Sequence, residues 1–231
     1  MKEDIILASQ AVICQIPSIN DFLQAFSLKL RAQIKESSYQ KTKPQLLECE
    51  YFFGSEQKYE YSFSIAKDIP YQLNIYEYLC FLSDTLKFTI ETWILAAAYL
   101  EKVLAKIPLL CSNWRKLVTY SIFNSQKISE RNELGSSEFA EIIPNIEFVD
   151  YILMGFEFQK LIEYNYEVHK EELLEIAEST LGYFPSDSYW NWKIDEESLE
   201  KVAKKSKEIP QEDQSEVNIY ASDTIYCINT I

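Results

Sequence analysis

An all-α fold is predicted by three features of the chain. Eight consecutive residues, Trp93 to Leu100, carry no charged or amide side chain and include three successive alanines. Ala has the best helix propensity and is depleted in strands, so this run reads as helix. It is far shorter than the roughly 20 apolar residues that span a bilayer. A helix apolar on every side belongs in the middle of a bundle, surrounded by other helices. Second, there are only four glycines and seven prolines in 231 residues, too few for the frequent turns of an all-β fold. Third, apolar residues recur at helical spacing along most of the chain. At 47% hydrophobic and 14% aromatic, the chain has enough apolar material for a sizeable core, in one domain with extensions or two small domains.

Residues 1–36 suggest one or two helices. Ser18 or Asn20 is the candidate cap, and Phe22, Phe26, Leu30 and Ile34 follow at i+4 intervals with Leu23 beside them. This stripe suits either packing on the protein's own core or a partner. Residues 37–70 are polar, then aromatic-rich without a clean period, and end at Pro70. From 71 the pattern is regular. Residues 71–88 form a first helix, with Leu73, Tyr76, Leu79 and Leu82 on one face. Residues 89–107 hold the apolar helix, stopped near Pro108. Residues 112–128 form a third, capped by Asn113, with Leu117, Val118 and Ile122 inward. A loop with Gly135 leads to a short helix over 137–143. After Pro144 comes a fifth helix, with Phe148, Ile152 and Phe156 on one of its faces.

Beyond Val168 the character changes. Residues 169–184 suit one more helix. Between Asp195 and Glu216 lie eight acids and four lysines, read as a surface helix and linker. Residues 217–231 have β-type composition and suit an exposed tail or a strand laid on a partner. No internal repeat is present.

The formal charge of −14 argues against nucleic-acid and anionic-membrane binding, because both draw on Lys and Arg. A basic protein partner fits such a surface better. The segment MKEDIILASQAVIC has acids at positions 3 and 4 before a short apolar run, unlike a secretory signal. Five cysteines (14, 49, 80, 111 and 227) form no CxxC pair, which suits reduced thiols in an intracellular protein. Cytoplasm, nucleus and cytoskeleton are not separated by these features. The single histidine, His169, lies among Glu167, Glu171 and Glu172, so a histidine-based catalytic set has one available base, in a setting that reads as exposed helix. No metal-ligand spacing, phosphate-cradling glycine run or kinase loop motif is present. We therefore expect a non-enzyme with no catalytic residue, cofactor or metal.

The five-helix run from 68 to 168 resembles the cyclin box. "AYLEKVL" is similar to the end of its second helix, and "NWRKLVTYSIFNSQKISER" to the segment that closes its third. "LGSSEFAEII" looks like the short fourth helix and "GFEFQKLIEYNYEV" like the end of the fifth. The opening "IPYQLNIYEYLCFLSDTLKFT" and the Asn113-Trp114 pair match the small single-box cyclins, the P/Y and phosphate-regulated yeast groups. The 63 residues after 168 are too few for a second box. The resemblance divides the chain into an N-terminal helical extension (1–67), a cyclin box (68–168) and a C-terminal extension (169–231). It implies a non-catalytic regulatory subunit that binds a cyclin-dependent-type kinase, with Lys127, Ile128 and Tyr164 at the matching kinase-binding positions on one exposed patch. Gly155 departs from the pattern: it stands where the family has a kinase-contacting glutamate, and Glu157 is about 200° further round a helix. Gly155 implies either a degenerate site or the close approach of another backbone. A pseudo-cyclin serving as a scaffold module in a large assembly, such as a cytoskeletal complex, is the alternative.

Overall fold

The computed structural model describes residues 13–15, 17–39, 69–130, 134–142, 148–184 and 190–208. The elements are β1 (Ile13–Gln15), α1 (Ile19–Tyr39), α2 (Gln72–Leu86), α3 (Ile90–Leu104), α4 (Trp114–Ser129), α5 (Ser136–Ile142), α6 (Phe148–Leu161), α7 (Lys170–Leu181), β2 (Trp190–Trp192) and α8 (Glu196–Glu208). The class is all-α. The only sheet among the described residues is a parallel ladder of two three-residue strands, in register Ile13↔Trp190.

α1 starts where Ser18 and Asp21 cap one another. The Asp21 N–H donates to the Ser18 hydroxyl at 3.1 Å, and the Ser18 N–H donates to the Asp21 carboxylate at 2.9 Å. This reciprocal box satisfies donors that a helix start otherwise leaves orphaned. Phe22, Leu23, Phe26, Leu30 and Ile34 are all buried, as their spacing predicted. In α2 the expected face is displaced. Ile75, Leu79, Leu82 and Leu86 point inward, while Leu73 is 58% exposed. Tyr76 is half-buried beside that face.

α3 is the central helix. Every residue from Thr92 to Leu100 is buried, with α4, α6, α7 and α8 packed against the helix. Ala96, Ala97 and Ala98 keep its waist narrow, which lets neighbours approach closely. α4 is nearly as enclosed, with twelve of its sixteen residues buried. Ser121, Ser125 and Ser129 donate their hydroxyls to the carbonyls of Leu117, Ser121 and Ser125, so small polar side chains enter the interior already satisfied. Asn113 holds the N-cap position but does not cap. Its side chain turns back, accepting from the Leu110 N–H at 2.8 Å and donating to the Pro108 carbonyl at 3.0 Å. It staples the loop between α3 and α4.

The flanking segments share the same core, which runs from Phe22 in α1 to Ala203 in α8. Lys29 of α1 is buried, 2.9 Å from Glu101 of α3 and 3.3 Å from the hydroxyls of Ser179 and Thr180 at the end of α7. The expected surface helix near the C-terminus is half core: Leu199, Val202, Ala203 and Ser206 of α8 are buried. The expected tail at 217–231 and most of 37–68 lie outside the described residues.

Candidate protein-interaction site

Lys127 lies in the last turn of α4 and is exposed. Its ammonium stands over the Phe123 ring, 4.4 Å from the centroid. That is close enough for cation–π attraction, which orients the side chain. Ile128 is only 4% exposed and belongs to the core. It cannot offer a surface, because α4 is packed by α3, α6 and α8. Tyr164 lies beyond the end of α6 and is half-buried.

The expected single exposed patch is not formed. Lys127 is at the end of α4 that meets the start of α3. There Thr92 and Ser129 share a hydroxyl hydrogen bond at 2.7 Å, and the Glu130 carboxylate accepts from the Thr89 N–H at 2.9 Å. Tyr164 is beside the opposite end of α3, where Lys106 pairs with Glu163 at 2.7 Å. A fifteen-residue helix rises about 20 Å, and that is the scale of their separation.

Gly155 has a definite packing role. A Cβ built there would come 3.3 Å from Cε1 of Tyr120. Tyr120 of α4 is fully buried, its ring 4.9 Å from that of Tyr151 and 6.1 Å from that of Phe158, and its hydroxyl donates to the Tyr151 carbonyl. The close neighbour that glycine admits is thus an aromatic ring rather than another backbone. Burial pushes the Tyr120 hydroxyl far above the usual tyrosine range. Glu157 does not replace the missing surface acid. It is buried, and its charge acts on Lys116 of α4, whose pKa burial lowers and Glu157 partly restores.

The hairpin after α6 is strained and well tethered. Glu163 and Tyr164 have φ of 58° and 55°, a left-handed conformation uncommon outside glycine. Tyr99 of α3 donates to the Tyr166 carbonyl at 2.8 Å. Lys102 donates to the Asn165 carbonyl at 3.3 Å and to that of Glu167. Burial lowers the Lys102 pKa, with Glu172 and Glu167 opposing. Burial also raises the Tyr166 hydroxyl to about 12. Strain of this kind persists where surrounding contacts over-determine it, and it is found at functional sites.

Apolar residues that keep solvent contact stand on α6 and at α2. The core face of α6 is Tyr151, Met154, Phe158 and Leu161. Leu153 and Phe156 turn away from it and are partly exposed, while Ile152, also partly exposed, packs against the core. Tyr71, just before α2, and Leu73 and Phe81 on it are exposed. The available signal was the composition of α6, which is apolar nearly all round.

Among the described residues, no group of three His, Cys, Asp or Glu side chains could hold a metal ion. Nor is any helix there long and apolar enough to cross a membrane. No protein-family model matches the chain, and no solved structure matches it significantly.

Proposed function

We propose that this chain is a non-catalytic, cyclin-like regulatory subunit that binds a cyclin-dependent-type kinase. The observation that carries the reading is Lys127, exposed in the last turn of an otherwise enclosed α4 and held over Phe123. The order α2 to α6 across the segment that resembles a cyclin box supports it. Lys127 would donate to partner carbonyls, and Tyr164 would make a second contact about 20 Å away. An interface of ordinary size, about 800 Å² per partner, spans both. Ile128 would support Lys127 from beneath. The subunit would act by binding one kinase conformer better than another, shifting its population.

A scaffold role in a large assembly is the second reading. It is favoured by Gly155 and Tyr120, which put a packing contact where the resemblance implies a surface acid. Affinity capture of the tagged chain from its native cells, read by mass spectrometry, tests both. A stoichiometric kinase lost with Lys127→Ala supports the regulatory reading. Abundant structural proteins without a kinase support the scaffold.

A further inference from the structure

α8 is stabilised largely by its own residues. Asp195 caps it: the carboxylate accepts from the N–H of Glu197 at 3.1 Å, from the N–H of Ser198 at 3.3 Å and from the Ser198 hydroxyl at 2.8 Å. Glu196 and Glu197 stand in the first turn and Lys205 and Lys207 in the last, the arrangement that a helix dipole favours. Glu197 pairs with Lys201 at 2.9 Å and Glu200 with Lys204 at 2.8 Å, each acid four residues before its base.

Its attachment to the rest of the protein is thin by comparison. Of its thirteen residues, Leu199, Val202, Ala203 and Ser206 are buried, against ten of fifteen in α3. The helix packs on α3, α4 and α7. Lys170 reaches Glu196 at 2.9 Å and Lys207 reaches Glu167 at 3.4 Å, but all four side chains keep solvent contact, and such pairs add little. The buried polar tie is a clasp at Ser206. Its hydroxyl accepts from the Val168 N–H at 3.0 Å and donates to the Ala203 carbonyl of its own helix at 2.8 Å. Val168 is fully buried beneath it.

We propose that α8 is a detachable strap, which docks and undocks as a unit while α1 to α7 stay folded. An element whose stabilisation is local loses little when it leaves, and regions with few buried apolar contacts open below the global unfolding free energy. Residues 193–195 join α8 directly to β2, so an undocked α8 stays beside the surface it left. Undocking bares the sides of α3, α4 and α7 that α8 covers, and a partner that uses that face must displace α8 first. The Ser206 clasp favours the docked state, because undocking takes the acceptor from the Val168 N–H. This inference does not depend on a kinase partner.

The test uses the full chain with the same substitution at two places, Ala203→Cys in α8 and Ala97→Cys in α3, where the native residues are 4% and 1% exposed. N-ethylmaleimide labelling is followed peptide by peptide by mass spectrometry, and each rate is divided by that of the urea-unfolded chain. Position 203 should label at least about 100-fold faster than position 97. Adding Ser206→Ala should speed labelling at 203 by about 10-fold more, the loss of one hydrogen bond to a buried N–H, and change position 97 by less than about two-fold. Urea midpoints check that each variant folds, and Val202→Cys reads the same helix if position 203 tolerates no larger side chain. A smaller ratio between 203 and 97, or an equal gain at both with Ser206→Ala, overturns the proposal, because α8 then opens only with the whole fold.

Discussion

Adding one methyl group at Gly155 sets two opposing effects against each other. Replacing an interior helical glycine with alanine stabilises a helix by about 1 kcal/mol. Here the new Cβ lies 3.3 Å from Cε1 of Tyr120, tighter than nine in ten real Cβ contacts. The sign depends on whether the ring can yield. Tyr120 is fully buried, packed by Tyr151 and Phe158, and tied through its hydroxyl to the Tyr151 carbonyl. A ring held at both ends cannot swing, so the overpacking cost of about 1–3 kcal/mol exceeds the helix gain. Gly155→Ala should therefore destabilise the fold by about 1 kcal/mol, a fall in Tm of about 2–4 °C for a chain of this size. In a Tyr120→Leu background the obstruction is gone, and the same change should become stabilising by about 1 kcal/mol. Urea unfolding of the four proteins in this cycle should give a coupling of about 2 kcal/mol. If Gly155→Ala alone raises stability by the full helix-propensity value, the ring gives way and the packing account of Gly155 is wrong.

Further expectations concern the helix ends, the core and alkaline pH. Lys87 ends α2 at φ 53° and is exposed, so Lys87→Gly should raise stability by about 0.5–1 kcal/mol in urea melts. Leu95→Ala, at a fully buried position in α3, should cost about 2–5 kcal/mol, with the smaller loss if neighbours collapse into the cavity. Lys29→Met removes the cation beside Glu101. Because Glu101 retains solvent contact, the loss should be about 1–2 kcal/mol, below that of a fully buried pair, by thermal melting. Tyr166, Tyr99, Tyr120 and Tyr151 have hydroxyls raised mainly by burial, so the native state keeps protons that the unfolded chain releases above about pH 10. Stability from these groups is complete below pH 10 and falls as pH rises, for Tyr166 through about 12. Absorbance at the phenolate band should show these tyrosines ionising together with unfolding. Their ionisation while near-UV dichroism is unchanged would contradict the burial.

The parts legible in the sequence are those where composition leaves one choice. The run from Trp93 to Leu100 has no polar side to turn outward, so its central place followed. The α1 stripe lies on an otherwise polar helix, so its buried face was equally plain. α6 gave no such cue. With apolar side chains nearly all round, the inward residues are chosen by which neighbours pack there, and Tyr120, Phe123 and Phe139 select Tyr151. The α2 face slipped for a related reason: Leu73 fits the period, but α1 covers the side bearing Ile75 and Leu79. Lys127 was recognisable as a surface position, and Ile128 takes the core place that its apolar side chain suits rather than the surface place that the resemblance implied. Adjacent residues on a helix point about 100° apart, and the packing on α4 leaves only a narrow window to solvent.

The β1–β2 ladder has a consequence for the order of assembly. Ile13 pairs with Trp190, a separation of 190 − 13 = 177 positions. At synthesis rates of about 5–20 residues per second, the first strand waits roughly 9–35 s for its partner to be made. Helix formation takes microseconds, so α1 to α7 have time to form while the strand still offers a bare edge. Such an edge is a template for pairing with neighbouring nascent chains on the same message. At three residues the strand is short, which limits that hazard, so ribosome spacing bears on the yield of correctly closed protein alongside the stability of the finished molecule.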